Sequence, residues 1–346
     1  MAGELARGHQ RLGKAFADEI WWERPDAVIE MSTPWVDREL DDARSQLFIA
    51  ALRVHQAFIE QSADKLRRNI ELWLDLIQTG KFLGQTQKRT LILWQTAFLV
   101  IPVISTTFAS IARLFKQLDR ETLGWLLVDE AGQAVPQAAI GALWRAKRAV
   151  VVGDPLQLEP IFTPHPNLVE GLRHHFQLED CWNPHSYSAQ GLADRINPFG
   201  TELRQRDKPL WVGCPLRVHR RCIEPMFSLS NEIAYGGKMV LATKPPEGIL
   251  FPAGVSRWIH TSGECEGKHW VPNQGEQVLH LLAQITSQSA ELSEVFIISP
   301  FREVSNALKR VLSQRTSEWA PPRLNVRQKQ TWLDKSVGTI HTFQGR

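Results

Sequence analysis

Cysteine is scarce: Cys181, Cys214, Cys222 and Cys265 are the only four in a chain of 346 residues. None is spaced as a CxxC pair or another zinc-ligand pattern, and four are too few for a secreted disulfide framework. Reduced thiols in a cytoplasmic protein are the expectation. An excess of one charge is also lacking: 40 Lys and Arg stand against 37 Asp and Glu, a net charge of +3. That is too small to announce a nucleic-acid partner by bulk electrostatics. Long hydrophobic runs are missing too, since no stretch approaches the roughly 18 apolar residues of a membrane span. The run Phe98 to Ile104 is short and contains Pro102. Met1 to Gln10 carry no apolar core of signal-peptide length. A soluble cytoplasmic protein without membrane contact is expected.

What is present is globular. Apolar residues make up 43% and charged residues 22%, and the length allows about two compact domains. From Asp42 to about Gln78 there is no Pro or Gly, and apolar residues fall at Leu47, Ala51, Val54, Phe58, Leu66, Ile70, Trp73 and Ile77. Steps of three and four predict one long amphipathic helix of about 35 residues, on the order of 50 Å. Such a helix is a protruding stalk, or else is buried along a neighbouring domain.

After Gly80 and Gly84 come short apolar runs, each followed by a turn-rich loop: Phe98–Ile104, Trp125–Val128, Ala149–Val152 and Val295–Ile298. Strands of this kind separated by helical segments predict an α/β fold with a parallel sheet, whose ligands bind where strand C-termini enter loops. A softer join is expected between about Tyr187 and Trp211. Lys244–Gly248 and Pro321-Pro322 read as loops.

Two of these loops carry the chemistry. Trp125-Leu126-Leu127-Val128-Asp129-Glu130 is an apolar strand ending in adjacent carboxylates. In a nucleotide hydrolase the first holds Mg²⁺ through its water shell and the second orients and deprotonates the attacking water. Alone the pair is a weak signal, because strands often end in solvated charges. Val150-Val151-Val152-Gly153-Asp154-Pro155-Leu156-Gln157 repeats the pattern. Gly153 permits a tight turn, and Gln157 is a neutral group able to accept from water and donate to a phosphate oxygen. The bland alternative is a Gly-Asp-Pro turn of no further meaning. Two such loops side by side in a parallel sheet are far more specific than either.

Asp129-Glu130-Ala131-Gly132-Gln133 followed by Gly153-Asp154-Pro155-Leu156-Gln157-Leu158 resembles motifs II and III of superfamily 1 helicases, in the branch of the RNA-surveillance and Okazaki-fragment helicases. Pro102 to Ser110 resembles the upstream motif whose Thr hydroxyls touch the nucleic-acid backbone. Leu216 to Arg220, continuing through Asn231 to Met239, resembles the opening of the second motor domain, and Val337 to Gly345 resembles motif V. The resemblance implies two RecA-like parallel-sheet domains, both incomplete, behind a helical stalk. Residues 1–90 would form the stalk or accessory segment, 91–205 the partial first motor domain and 206–346 the partial second.

It further implies ATP and Mg²⁺ between the domains and single-stranded DNA or RNA across them. Asp129 would bind Mg²⁺, Glu130 would be the general base and Gln157 would sense the γ-phosphate, with Asp154 shaping its loop. Arg217 would act on the transferring phosphoryl group as an arginine finger. Gln344 and Gly345 would lie at the nucleotide. Thr106, Thr107, Thr339, His341 and Thr342 would contact phosphate backbone. His174 with His175, and the 13 tryptophans, are assigned to packing rather than to metal or base stacking.

The phosphate loop of this family, GxxxxGK followed by Ser or Thr, does not appear. Gly8-His9-Gln10-Arg11-Leu12-Gly13-Lys14-Ala15 comes near, but Ala15 replaces the hydroxyl residue and no apolar strand precedes Gly8. The chain stops within motif V, before the Arg-bearing motif VI. The expectation is therefore a helicase fragment with negligible ATPase of its own. Its alternatives are a non-catalytic nucleic-acid-binding or regulatory module, and one part of a split helicase whose missing segments lie on another chain.

Overall fold

The structure, a computed structural model, describes residues 2–13, 16–81, 84, 86–203, 209–244, 254–288, 292 and 295–343. It divides into two compact units, Met1–Thr243 and Lys244–Arg346.

The first unit opens with α1 (Ala2–Leu12), α2 (Glu19–Trp22) and α3 (Asp26–Glu30). Gly8 to Leu12 lie inside α1, where backbone amides are spent on intrahelical bonds and cannot cradle a phosphate. Lys14 and Ala15 fall outside the described residues. The single helix expected over Asp42–Gln78 is instead a pair, α4 (Arg38–Gln61) and α5 (Ala63–Thr79). Between them Ser62 turns to φ −104°, ψ 8°. Gly80 then ends α5 in the left-handed conformation at φ 76°, its N–H bonded to the Leu76 carbonyl, a geometry that favours glycine.

No strand forms over Phe98–Ile104. Phe98 to Val100 are the last turn of α6 (Gln87–Val100), and α7 (Phe108–Leu114) follows an irregular stretch. Pro102 ends the helix here, because a residue before proline avoids the helical region and Ile101 sits at φ −122°, ψ 84°. Phe98 packs one helical turn from Trp94, at 5.9 Å between ring centroids. Trp94 is 1% exposed and meets Trp73 of α5 edge-on at 5.5 Å and Phe115 at 5.0 Å. Leu76, Leu93, Ala97, Ile111, Leu118, Leu123 and Ala142 are the other buried members of this core.

The next segments set the loops. β1 (Leu126–Val128) leads through a 3-10 turn, Ala131–Gln133, into α8 (Pro136–Arg145), and β2 (Ala149–Val151) returns. The strands are parallel, with Leu126, Leu127 and Val128 opposite Ala149, Val150 and Val151. Beyond them lie α9 (Pro166–His175) and α10 (Ala189–Ile196), then the antiparallel hairpin of β3 (Gly200–Leu203) and β4 (Leu210–Gly213). The join expected between Tyr187 and Trp211 is occupied by α10 and this hairpin, inside the first unit. β5 (Val218–His219), α11 (Met226–Tyr235) and β6 (Val240–Leu241) follow, with β5 and β6 parallel.

The second unit contains α12 (Pro272–Gln288), β7 (Ile297–Ser299), α13 (Arg302–Gln314), α14 (Thr316–Trp319), α15 (Val326–Ser336), β8 (Val337–Thr339) and α16 (Ile340–Phe343). β7 and β8 pair in parallel. Trp319 and Trp332 pack with tilted rings 5.0 Å apart, and their indole N–H groups donate to the Leu312 and Leu292 carbonyls. A capping box of Asn325 and Gln328 starts α15. The class is thus α/β, built in the described residues from small parallel pairs flanked by helices. Among those residues no helix is long and apolar enough to cross a membrane, and no cluster of three His, Cys, Asp or Glu side chains could hold a metal.

Candidate active site

β1 and β2 end side by side, and the hydrogen bonding continues past them. Val152 N–H donates to the Val128 carbonyl at 2.8 Å, and Ala131 N–H donates to the Val152 carbonyl at 3.0 Å. The two expected loops therefore emerge together. They also touch, because both carry glycine at the contact: a Cβ on Gly132 would lie 2.6 Å from the Asp154 carbonyl oxygen, and one on Gly153 would lie 2.8 Å from the Ala131 and Gly132 nitrogens. No other residue fits this approach without displacing backbone.

Asp129 and Glu130 are exposed at the mouth of this junction. Asp129 Oδ1 accepts the Glu130 N–H at 3.0 Å. Glu130 occupies the left-handed region at φ 53°, an uncommon conformation for a non-glycine residue and one that concentrates at functional sites. Its carboxylate accepts from Gln133 Nε2 at 3.0 Å. The set suits a hydrated Mg²⁺: hard carboxylate oxygens, solvent access, and a second carboxylate one residue on to receive a proton from water.

In the neighbouring loop Asp154 is the organiser. Its Oδ1 accepts the Leu156 N–H at 2.9 Å, and its Oδ2 accepts Gln157 Nε2 at 3.1 Å. The Tyr235 hydroxyl of α11 donates to the same oxygen. Burial, reinforced by the bond to the Asp154 carboxylate, pushes the Tyr235 phenol well above its usual range, so the hydroxyl stays a donor at neutral pH. Gln157 itself is exposed.

The floor beneath Gly153 is polar. Gln190 and Asp194 of α10 are buried, and Gln190 Nε2 donates to Asp194 Oδ1 at 2.9 Å, which also accepts the Gly213 N–H at 3.1 Å. Gln190 Oε1 and Asp194 Oδ2 are buried with no hydrogen-bond partner. Burial raises the Asp194 carboxyl above the ordinary aspartate range, against the hydrogen bonds from Gln190 and Gly213. A cavity of ≈ 640 Å³ opens beside this floor, with Gly132 and Pro155 on one wall and Tyr187, Arg195 and Trp211 on another.

Asp129, Glu130, Asp154 and Gln157 are thus brought together. Arg217, also in the first unit, is engaged elsewhere: its NH2 donates to Asp26 Oδ2 at 2.7 Å, its NH1 to Glu30 Oε1 at 3.0 Å and its Nε to the Lys238 carbonyl at 2.7 Å. Thr106 and Thr107 are exposed ahead of α7, and Thr106 lines a cleft of ≈ 480 Å³ with Gln78, Ser110, Arg113 and Lys116. In the second unit Thr339 Oγ1 lies 3.3 Å from Thr342 Oγ1, and His341 is exposed. Gln344 and Gly345 lie outside the described residues. His174 Nε2 sits 3.0 Å from Glu170 at the end of α9, where Glu170 also binds Arg173.

Sequence reading gave no role to Tyr235 in the Gly-Asp loop, nor to Asp26, Glu30, Gln190 or Asp194. No local signal marks the first three, because their partners are 81, 191 and 187 residues away. Gln190 and Asp194 are spaced i, i+4, which was a readable sign of one helical face.

No curated protein matches the chain. Residues 29–163, which hold α4 to β2 and both loops, match a family model described as an AAA domain, and this match supports a P-loop, helicase-like relationship for that part of the chain.

Proposed function

We propose that the chain carries the hydrolytic half of an ATP-dependent helicase-type motor of superfamily 1, acting on single-stranded DNA or RNA. The observation that supports this best is the interlocked pair of glycines, Gly132 and Gly153, which sets the Asp129-Glu130 loop against the Asp154–Gln157 loop. In this reading Asp129 holds Mg²⁺ through water and Glu130 accepts the proton of the attacking water. Gln157, steered by Asp154 and through it by Tyr235, reports on the γ-phosphate. When bound, Mg²⁺ neutralises charge on the phosphates. Thr106 and Thr107 in the first unit, and Thr339, His341 and Thr342 in the second, meet the nucleic-acid backbone. Arg217 reaches phosphate only after leaving Asp26 and Glu30.

No GxxxxGK[ST] stretch occurs in the 346 residues, so the chain alone lacks the backbone cradle that positions the phosphates. ATP turnover by the purified chain with single-stranded oligonucleotide is expected at background. Robust turnover that Glu130→Gln abolishes would show phosphates positioned without that loop.

The ion pairs of Arg217 with Asp26 and Glu30 favour a second reading, a nucleic-acid-binding module that does not hydrolyse ATP. Salt-dependent oligonucleotide binding, indifferent to ATP and weakened by Thr107→Ala, would support it. Absence of binding at low salt would eliminate it.

A further inference from the structure

The cavity of ≈ 640 Å³ reaches Gly132 and Pro155 but is lined by none of Asp129, Glu130, Asp154 and Gln157. Its volume is that of a small-molecule site, and it has one flat, fixed wall. The Trp211 indole N–H donates to the Asp194 carbonyl at 3.0 Å and to the Asn197 carbonyl at 3.2 Å. The same ring lies against Gly200, where a Cβ would fall 2.8 Å from Trp211 Cζ2. An aromatic ring held both at its N–H and by neighbouring backbone loses little freedom when a planar ligand stacks on it.

The polar groups of the cavity say what kind of ring it would take. Arg195 is already paired, its NH2 lying 3.2 Å from Glu179 Oε2. Glu159 is exposed and, among the described residues, has neither a hydrogen bond nor an ion pair. An ionised carboxylate only accepts, so it repels phosphate and selects N–H donors. Two adjacent donors satisfy both of its oxygens. Guanine is the nucleobase that carries such a pair, N1–H beside N2–H₂. Adenine and cytosine place their amine next to an acceptor nitrogen, and uracil and thymine place one N–H between carbonyls. The Tyr187 hydroxyl, which also has no partner among the described residues, supplies a donor for a ring oxygen such as guanine O6.

We propose that this cavity is a guanine-binding pocket, in which the base stacks on Trp211 and donates N1–H and N2–H₂ to Glu159. The base comes from a single strand, splayed out of its stack, or from a free guanosine nucleotide. The strand source rests on the nucleic-acid reading given above, whereas the pocket does not.

Fluorescence anisotropy on the full chain tests this with three strands: oligothymidine, the same strand with one central guanine, and the same strand with hypoxanthine in that place, which lacks the 2-amino donor. The guanine strand is expected to bind at least about tenfold more tightly than oligothymidine and about fivefold more tightly than the hypoxanthine strand. Glu159→Gln, at an exposed position that leaves the melting transition in place, is expected to erase both preferences, because an amide donor then faces a base donor. Equilibrium dialysis with guanosine monophosphate and adenosine monophosphate separates the sources. Guanosine monophosphate that binds as tightly as the strand assigns the pocket to a free nucleotide, and one at least about tenfold weaker assigns it to a splayed base. Guanosine monophosphate bound in preference to adenosine monophosphate by a chain that binds no strand would support the pocket and count against the nucleic-acid reading alone. No preference for guanine in strand or nucleotide, or a preference that Glu159→Gln leaves intact, would overturn the proposal.

Discussion

Gly132 and Gly153 show how a single atom decides the geometry of the site. The Cβ each would carry falls within 2.6–2.8 Å of the opposite loop's backbone, and backbone cannot rotate aside as a side chain can. Gly153→Ala is therefore expected to cost about 1–3 kcal/mol of stability and to separate the two loops, measurable by urea denaturation. Asp194 makes the opposite kind of prediction. Its folded pKa lies above its unfolded value, so its contribution is greatest below about pH 4 and declines as pH rises through the folded pKa. When the carboxyl is ionised, its buried Oδ2 has no partner. Asp194→Asn keeps an acceptor for Gln190 Nε2 and Gly213 N–H and removes the charge. It is expected to stabilise the protein by about 1 kcal/mol at pH 7, with the gain shrinking toward pH 4, followed by thermal melts across that range.

At the scale of elements, packing decided what periodicity alone left open. Trp125–Val128 and Ala149–Val152 were legible as strands because each is a short apolar run closed by Asp or Gly, and both form within one residue of those bounds. Phe98–Ile104 has the same composition and is not a strand, because Phe98 belongs to the helical face that Trp94 begins and Pro102 stops the helix behind it. The long helix was legible in existence and not in continuity. Its break at Ser62, where φ is −104° and ψ 8°, was not legible. Trp319, 1% exposed between α12 and α13, packs as expected of it, although its partners Leu312 and Trp332 lie on different helices and were not legible in the sequence. Trp319→Ala is expected to destabilise the second unit by about 3–5 kcal/mol, while leaving the transition of the Trp73–Trp94 core unmoved. Calorimetry would read the two transitions separately.

For the whole molecule, the candidate site was more legible than the architecture around it. Adjacent carboxylates and a Gly-Asp-Pro-x-Gln loop, each after an apolar strand, are local patterns, and the parallel pairing of β1 with β2 joins them. What holds that site in place is non-local, Tyr235 on Asp154 and Gln190 beneath Gly153, while Asp26 and Glu30 clamp Arg217 elsewhere in the same unit. Those contacts bind residues 26 to 235 into one unit, whereas composition and turn signals suggested a join near residue 205.

The proposed role of Glu130, as general base of a nucleotide-hydrolysing site, requires a phosphate loop that this sequence does not contain. It is tested most directly by joining the chain in frame to a strand-and-GxxxxGK[ST] segment, verifying ATP binding, and measuring turnover with single-stranded oligonucleotide. Stimulated turnover that Glu130→Gln lowers at least about a hundredfold, with ATP binding retained, is the expected result. Turnover indifferent to Glu130→Gln, or bound ATP that is never hydrolysed, would contradict it.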